Sequence, residues 1–358
     1  MSATRPLHLA VALDGPARYG TEHFAELAGL AEHGALDFLT LGDSFARPGL
    51  DALAVLAAIA PRTRRIGLVP TVTTTHTEPF HVSTSLATLD WVSRGRAGWS
   101  IGVSATEAEA RLFGRRPAAP PDALWREAGE VAEAVARLWD SWEDDAEIRD
   151  EATGRFIDRE KLHHIDFSGS SFSVRGPSIV PRPPQGRPVT VVDLTGTGEP
   201  GRRVAARYAD VVLVRAGSPE EAAALRAGLH RDAAALGRDP DHLRVLVSLA
   251  VDLGECESAP QPGLAGPSRP AATASYFRGG PVDLAELITR WQRGGAADGF
   301  HLAPIAPHRD LERIVNGTVA LLQHRGIART FHPGGTLREH LGLARPANRY
   351  AATSRGAS

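Results

Sequence analysis

The stretch Ala87-Thr-Leu-Asp-Trp-Val-Ser-Arg-Gly-Arg-Ala-Gly-Trp-Ser-Ile-Gly-Val-Ser104 decides the fold. It reads as the end of a helix, a turn containing Gly95, and a short buried strand that runs out into Ser100, Gly102 and Ser104. Strands that run between helices imply a parallel sheet, and a strand ending in small polar residues at an open mouth is where barrel enzymes keep ligands.

Working outward, the same unit recurs along the chain. Strand candidates lie at Leu7–Leu13, Phe38–Leu41, Ile66–Val72, Ala97–Val103, Val189–Val192, Val211–Val214, Leu243–Val251 and Gly299–Leu302. Helical spacing separates them at Thr21–Gly34, Leu50–Ile59, Pro79–Val92, Asp122–Trp142, Gly201–Tyr208, Pro219–Leu236, Leu284–Gly294 and Leu311–Gly326. About eight strand–helix units imply a closed TIM-like (β/α)8 barrel of the α/β class, and no early strand is followed by the GxGxxG of a dinucleotide fold. The chain reads as a single domain over 1–358. Three segments break its rhythm. Residues 143–180, with strand-like pieces at Phe167, Phe172 and Val174, are expected as an insertion over the C-terminal mouth. Residues 254–282, rich in Pro, Gly, Ala and Ser, are expected as a shortened flexible segment. Residues 330–358 are expected as a tail that wraps the surface.

Composition narrows the function. Of 358 residues, 42% are hydrophobic and 23% charged, which suits a large core. Lys+Arg of 40 against Asp+Glu of 42 leaves a net charge of −2, and the absence of a basic patch argues against nucleic acid as partner. No run reaches the roughly 18 apolar residues of a membrane span, so no membrane partner is expected. The N-terminus lacks an apolar leader, so a cytoplasmic location is expected. One cysteine, Cys256, excludes an intramolecular disulfide, and no histidine pair has metal-ligand spacing.

Several runs carry a resemblance. They are Thr71-Val-Thr-Thr-Thr-His-Thr-Glu-Pro79, Leu86-Ala-Thr-Leu-Asp-Trp-Val-Ser-Arg-Gly-Arg-Ala-Gly-Trp99, Leu138-Trp-Asp-Ser-Trp142, Phe172-Ser-Val-Arg-Gly-Pro177, Pro181-Arg-Pro-Pro-Gln-Gly-Arg-Pro188, Gly237-Arg-Asp-Pro240, Gly295-Ala-Ala-Asp-Gly-Phe300 and Thr336-Leu-Arg-Glu-His-Leu-Gly342. In this order they resemble the bacterial luciferase-like flavin-dependent monooxygenases, in the branch of nitrilotriacetate, dibenzothiophene-sulfone and long-chain alkane monooxygenases. The resemblance implies reduced FMN bound without a covalent link at the C-terminal mouth, supplied by a separate flavin reductase. Dioxygen, the co-substrate, then adds to form a flavin hydroperoxide that oxygenates a small organic substrate. It also implies a homodimer.

The resemblance places site residues at the strand ends. Asp43, after the second strand, falls where the family has an acidic residue near the flavin ring; the bland alternative is a loop or helix cap. Thr73 and Thr74 fall where the family sets hydroxyls and amides against the flavin. Ser100 stands where the family pattern has Asn and offers one donor where an amide both donates and accepts. Pro121 and Trp125 replace a His and a Tyr that hold the phosphate, with Arg115 and Arg116 nearby as possible substitutes. Thr197 and Gly198 open the helix whose N-terminus favours an anion. Among His76, His81, His163, His164 and His301, the catalytic candidate is His301, at the last strand's end; the others read as surface or hydrogen-bonded histidines. The altered positions Ser100, Pro121, Trp125 and Gly198 support a second expectation. In it, the barrel has lost flavin and serves as a non-catalytic subunit or a flavin-independent enzyme.

Overall fold

The computed structural model describes residues 7–14, 19–258, 263–265 and 275–351. Eight parallel strands close on themselves: β1 (His8–Ala12), β2 (Phe38–Leu41), β3 (Gly67–Thr73), β4 (Gly98–Gly102), β5 (Val189–Asp193), β6 (Val211–Val214), β7 (Arg244–Leu253) and β8 (Gly299–Pro304). Each pairs with the next, and β8 returns to β1 with His301 beside Ala10. Around them run α1 (Thr21–His33), α2 (Ala52–Ile59), α3 (Pro79–Ser93), α4 (Glu107–Phe113), α5 (Pro121–Asp140), α6 (Gly198–Tyr208), α7 (Pro219–Ala235), α8 (Pro281–Arg293) and α9 (Pro307–Arg313).

The opening stretch shows why the chain turns where it does. Arg94 caps α3 in the left-handed conformation at φ 59°, and Gly95 follows at φ 87°. A β-carbon at Gly95 would meet Thr336 Cγ2 at 2.8 Å, so only glycine lets the tail pack under this turn. Trp99 then points outward, donates to Thr190 Oγ1 at 3.1 Å and packs edge-on against Trp139 of α5. On α5 itself, Leu124, Ala128, Val131, Val135 and Leu138 fall on one buried face, each large side chain contributing about 1.5–3 kcal/mol.

Inside the barrel the period of two governs. One inward layer is apolar, a cluster of Ala10, Phe38, Val69, Val191, Leu213 and Leu246. Two residues nearer the C-terminal end, the same inward positions are Ala12, Thr40, Thr71, Ser100, Asp193, Arg215, Ser248 and His301, polar in all but the first. The interior thus changes from apolar to polar toward the mouth.

Four segments differ from the sequence reading. The insertion 143–180 leaves the C-terminus of α5, at the end opposite the mouth. It climbs the flank of that helix: Ser170 donates to Glu130, Arg137 lies over Phe167, and Trp142 Nε1 donates to Ser178 O at 2.7 Å. It therefore covers a side of the barrel, because it joins a helix to a strand and such connections lie at the N-terminal end. The segment 254–282, partly outside the described residues, contains a strand at Ser275–Gly279 that pairs in parallel with the overhanging end of β7. The tail does more than wrap the surface: Leu337, Leu341 and Leu343 join the inner apolar cluster and plug the barrel's N-terminal end. Its residues 352–358 lie outside the described residues, as do Met1–Pro6. Finally, α4 arises from a stretch that lacked helical spacing; Thr106 and Glu109 form a capping box at its start.

Candidate active site

The polar layer at the mouth centres on His301. Its Nε2 lies 2.9 Å from Thr40 Oγ1 and its Nδ1 3.1 Å from Ser248 Oγ, so β2, β7 and β8 all hold the ring. Burial pushes its pKa down to about 4, opposed by the nearby Asp193 and assisted by Arg215. The imidazole is therefore neutral near pH 7: one nitrogen donates and the other accepts. It is a weak base there and a firm hydrogen-bonding post.

Above it, β3 and β4 end side by side. Thr73 is buried, and Thr74 Oγ1 donates to Gly102 O at 2.9 Å. Ser100 is buried in register with Thr71 and Val191. Ser104 N donates to Thr75 Oγ1 at 3.2 Å, while Ser104 Oγ is buried with no protein partner. After Thr75, His76 adopts φ 68°, a conformation that strains a residue with a β-carbon by on the order of 1–3 kcal/mol, and its Nδ1 is also buried without a partner. Unmatched buried polar atoms are rare and mark places where a ligand or water completes the bonding. Strain stored at the same point reinforces that reading.

After β5, the strand beside β4, α6 begins at Thr197 and Gly198. Thr197 Oγ1 donates back to Leu194 O at 3.2 Å and does not cap the helix. Gly198 sits at φ 62° with open space around its α-carbon apart from Pro200, and Gly196 likewise has a positive φ and nothing within 4 Å of a would-be β-carbon. The helix thus presents an uncapped N-terminus, its amides available to an anion.

The other sequence candidates are spread differently. Both Asp43 oxygens accept from backbone, Ser44 N at 2.7 Å and Ala52 N at 2.9 Å, so this carboxylate shapes the loop between β2 and α2. Trp125 is buried in the main core on α5. Arg116 is paired twice with Glu127, at 2.6 and 2.7 Å, and Arg115 is exposed. The sequence reading put Ser104 at the exposed end of its strand without giving it a role, missed Asp193, Arg215 and Ser248, and gave His76 a bland role. Stepping by two from the apolar inward residues finds Asp193, Arg215 and Ser248, and stepping by two from Ser100 finds Ser104; His76 carries no such signal.

A cavity of about 730 Å³ opens at the opposite end of the barrel, near His8, Arg226, Arg244 and Asp298. Its charges are cross-paired: Arg226 with Asp298 at 2.8 Å, and Arg244 with Leu341 O and Gly342 O at 2.9 and 3.2 Å. In (β/α)8 enzymes the chemistry sits at the strands' C-terminal ends and this face serves stability, so the mouth is the candidate site.

Residues 8–262 match the luciferase-like monooxygenase family. The chain belongs to that family. Nitrilotriacetate monooxygenase component A of Aminobacter aminovorans is 34% identical, the match covering 93% of this chain and 92% of that protein. N-acetyl-S-(2-succino)cysteine monooxygenase of Bacillus subtilis (strain 168) is 32% identical over 405 positions, covering 92% and 91%. That alignment is longer than the 358-residue chain, so the relative carries segments that this family member lacks. In structure, EDTA monooxygenase from Chelativorans sp. BNC1 superposes with a TM-score of 0.82 at 24% identity, covering 95% and 99%, which establishes the shared fold. Family membership makes the protein a flavin-dependent monooxygenase. Among the described residues no helix is long and apolar enough to cross a membrane.

The family uses reduced flavin and dioxygen, and the mouth's residues fit such a group. The uncapped α6 N-terminus suits a phosphate, and the unmatched Ser104 hydroxyl lies at the β4 end, where a polar edge of a ring system would find a partner.

Proposed function

We propose that this protein binds reduced FMN at the C-terminal mouth of its barrel and uses dioxygen to oxygenate a small organic substrate, the reduced flavin coming from a separate reductase. The observation that carries the reading is the pairing of the unmatched Ser104 hydroxyl at the β4 end with the uncapped N-terminus of α6, which follows the neighbouring strand β5. The relative named component A supports a second protein as electron source.

In this reading Thr197, Gly198 and the first amides of α6 hold the phosphate, with Thr73, Thr74, Ser100 and Ser104 along the ring. Bound reduced FMN would supply the two electrons that activate dioxygen, one oxygen atom going to substrate and the other to water. His301 does not reach for protons: held neutral between Thr40 and Ser248, it keeps the floor of the site in one arrangement. Asp43 acts from behind, fixing the β2 loop through backbone amides, and Trp125 supports α5 from the core. The apolar lower layer and plugged N-terminal end keep water from entering below.

A homodimer belongs to the same reading. Helix α2 carries no charged residue, and its Ala54 and Ala58 are exposed. On neighbouring α3 the only acid, Asp90, is buried, while Trp91 and Val92 are about half exposed. An uncharged outer face on two adjacent helices is self-compatible, and Trp91→Glu is expected to yield monomer in sedimentation.

Anaerobic calorimetric titration with reduced FMN, and separately with oxidised FMN, tests the proposal. One site per chain with a Kd of about 10 μM or tighter for reduced FMN is expected, roughly −7 kcal/mol. No binding of either form at tens of micromolar would overturn it in favour of a flavin-free barrel.

A further inference from the structure

The loops around the mouth carry a run of rings that flavin binding does not account for. Phe45 follows β2, His76 follows β3, and Phe113 ends α4 in the connection from β4 to α5. Phe45 meets Phe113 edge to face with centroids 4.7 Å apart and planes at 76°. His76 stacks on the same Phe113 at 4.7 Å and 16°. Ser44 Oγ, donating to Glu109 at 3.3 Å, ties the β2 loop to α4 and so holds the first contact in place.

The ladder has a direction. Phe45 is 39% exposed, Phe113 and His76 are half-buried, and the inner end is the buried, unpartnered His76 Nδ1. It therefore leads from solvent to an unmet hydrogen-bonding atom on a residue whose backbone is held at φ 68°. Exposed Leu112 and Ile305, in the connections after β4 and β8, continue the apolar character along the rim.

The electrostatics narrow what fits. Arg116 is matched by Glu127, Glu109 is bound by Ser44 and by Thr106, and Arg115 is exposed. Burial, with Arg116 and Arg115 nearby, holds the His76 pKa below the usual range, against the smaller pull of Glu127 and Glu109. The ring is thus neutral near pH 7 and suits an uncharged partner.

We propose that the Phe45–Phe113–His76 ladder is the substrate-recognition wall, and that it takes a neutral, planar aromatic molecule whose hydroxyl or carbonyl group bonds His76 Nδ1. The proposal rests on the reading of the mouth as the active site. It sets this chain apart from a relative named for nitrilotriacetate, a tricarboxylate. The rings stack on the substrate's plane, and the histidine selects its polar end.

The test uses 2-naphthol as probe, followed by its fluorescence on the full-length protein with and without FMN, with naphthalene and nitrilotriacetate as comparators. Phe113→Ala is expected to weaken 2-naphthol binding about tenfold or more and Phe113→Leu, which keeps volume without the ring, about threefold. His76→Asn, which tolerates the left-handed backbone, is expected to weaken 2-naphthol about fivefold and leave naphthalene unchanged. Nitrilotriacetate is expected not to displace the probe. The proposal is overturned if wild type does not bind 2-naphthol, if folded variants bind it as wild type does, or if nitrilotriacetate competes. FMN titrations on the same samples separate the two readings. Loss of FMN binding in wild type defeats the flavin assignment, whereas intact FMN binding with ring-independent naphthol binding defeats only the ladder.

Discussion

At the N-terminal end of the barrel, Asp140 is fully buried and arginines close on it: Arg182 at 3.2 Å, Arg187 through Nε at 3.0 Å, and Arg349 at 3.4 Å. At the mouth, Ser104 is about as buried, and no described residue closes on its hydroxyl. The same contrast recurs. Below, Asp37 is held by His8 and Arg329, Asp90 accepts from Gln185 and Ala97 N, and Arg96 donates to Ser93 O, Ala60 O, Thr63 and Ile66 O. Above, His76 is strained and unmatched and α6 starts without a cap. The lower end has exceptions: Arg182 Nε lacks a partner, and so do both ring nitrogens of His340, with His332 packed against it at 4.7 Å. One end spends its polar groups on the fold, and the other leaves them open for a ligand.

The largest effect is expected where one buried carboxylate holds several arginines. Asp140→Ala leaves buried guanidinium groups without their carboxylate and should destabilise the protein by about 3–5 kcal/mol in chemical denaturation. FMN affinity of the folded fraction should change little. A loss of flavin binding with no loss of stability would break the comparison.

The next effect is on acid stability. The folded-state pKa values of His301 and His340 are both depressed to about 4 by burial. Between about pH 6.5 and 4 the unfolded chain therefore binds more protons at these sites, and stability falls as the pH is lowered through that window, by on the order of 3 kcal/mol for each histidine. Asp90, whose pKa burial raises to about 6, works in the opposite direction: its contribution is present at low pH and fades as pH rises toward 6. A net loss of melting temperature on going from pH 7 to 4 is expected. His301→Gln should flatten that slope, and an unchanged slope would remove His301 from the account.

The smallest stability change should come from the mouth. Ser104→Ala removes an unmatched buried hydroxyl, so stability should hold or rise by up to about 1 kcal/mol. Reduced FMN should nonetheless bind roughly fivefold more weakly, read in the same calorimetric titration. A destabilised Ser104→Ala would place this residue with the structural end.

Much of the fold was legible because local periodicity and burial agree. Val211–Val214 is a continuous apolar run, and Phe38–Leu41 is apolar but for Thr40; both form strands over those same residues. Elements that depend on distant partners were not. Ser275–Gly279 is a strand only because β7 overhangs the barrel, and Leu337 and Leu341 read as a surface tail until the barrel's open lower end receives them. α4 was not read from the sequence: it lacks periodicity, and its one local signal is the Thr106–Glu109 capping box. In the site, family resemblance located the strand ends, and Ser100 faces inward among the polar layer. What sequence cannot display is whether a partner is missing. Asp43 looked like a ligand contact and is satisfied by backbone, whereas His76 looked bland and is not satisfied.

The claim that the open end is the working end is tested most directly by a crystal structure of the protein with FMN bound. The account places the ring along the ends of β3 and β4, with Ser104 Oγ within hydrogen-bonding distance and the phosphate at Thr197–Gly201. Flavin in the 730 Å³ cavity at the N-terminal end, or at the mouth with Ser104 Oγ still unmatched, would contradict it.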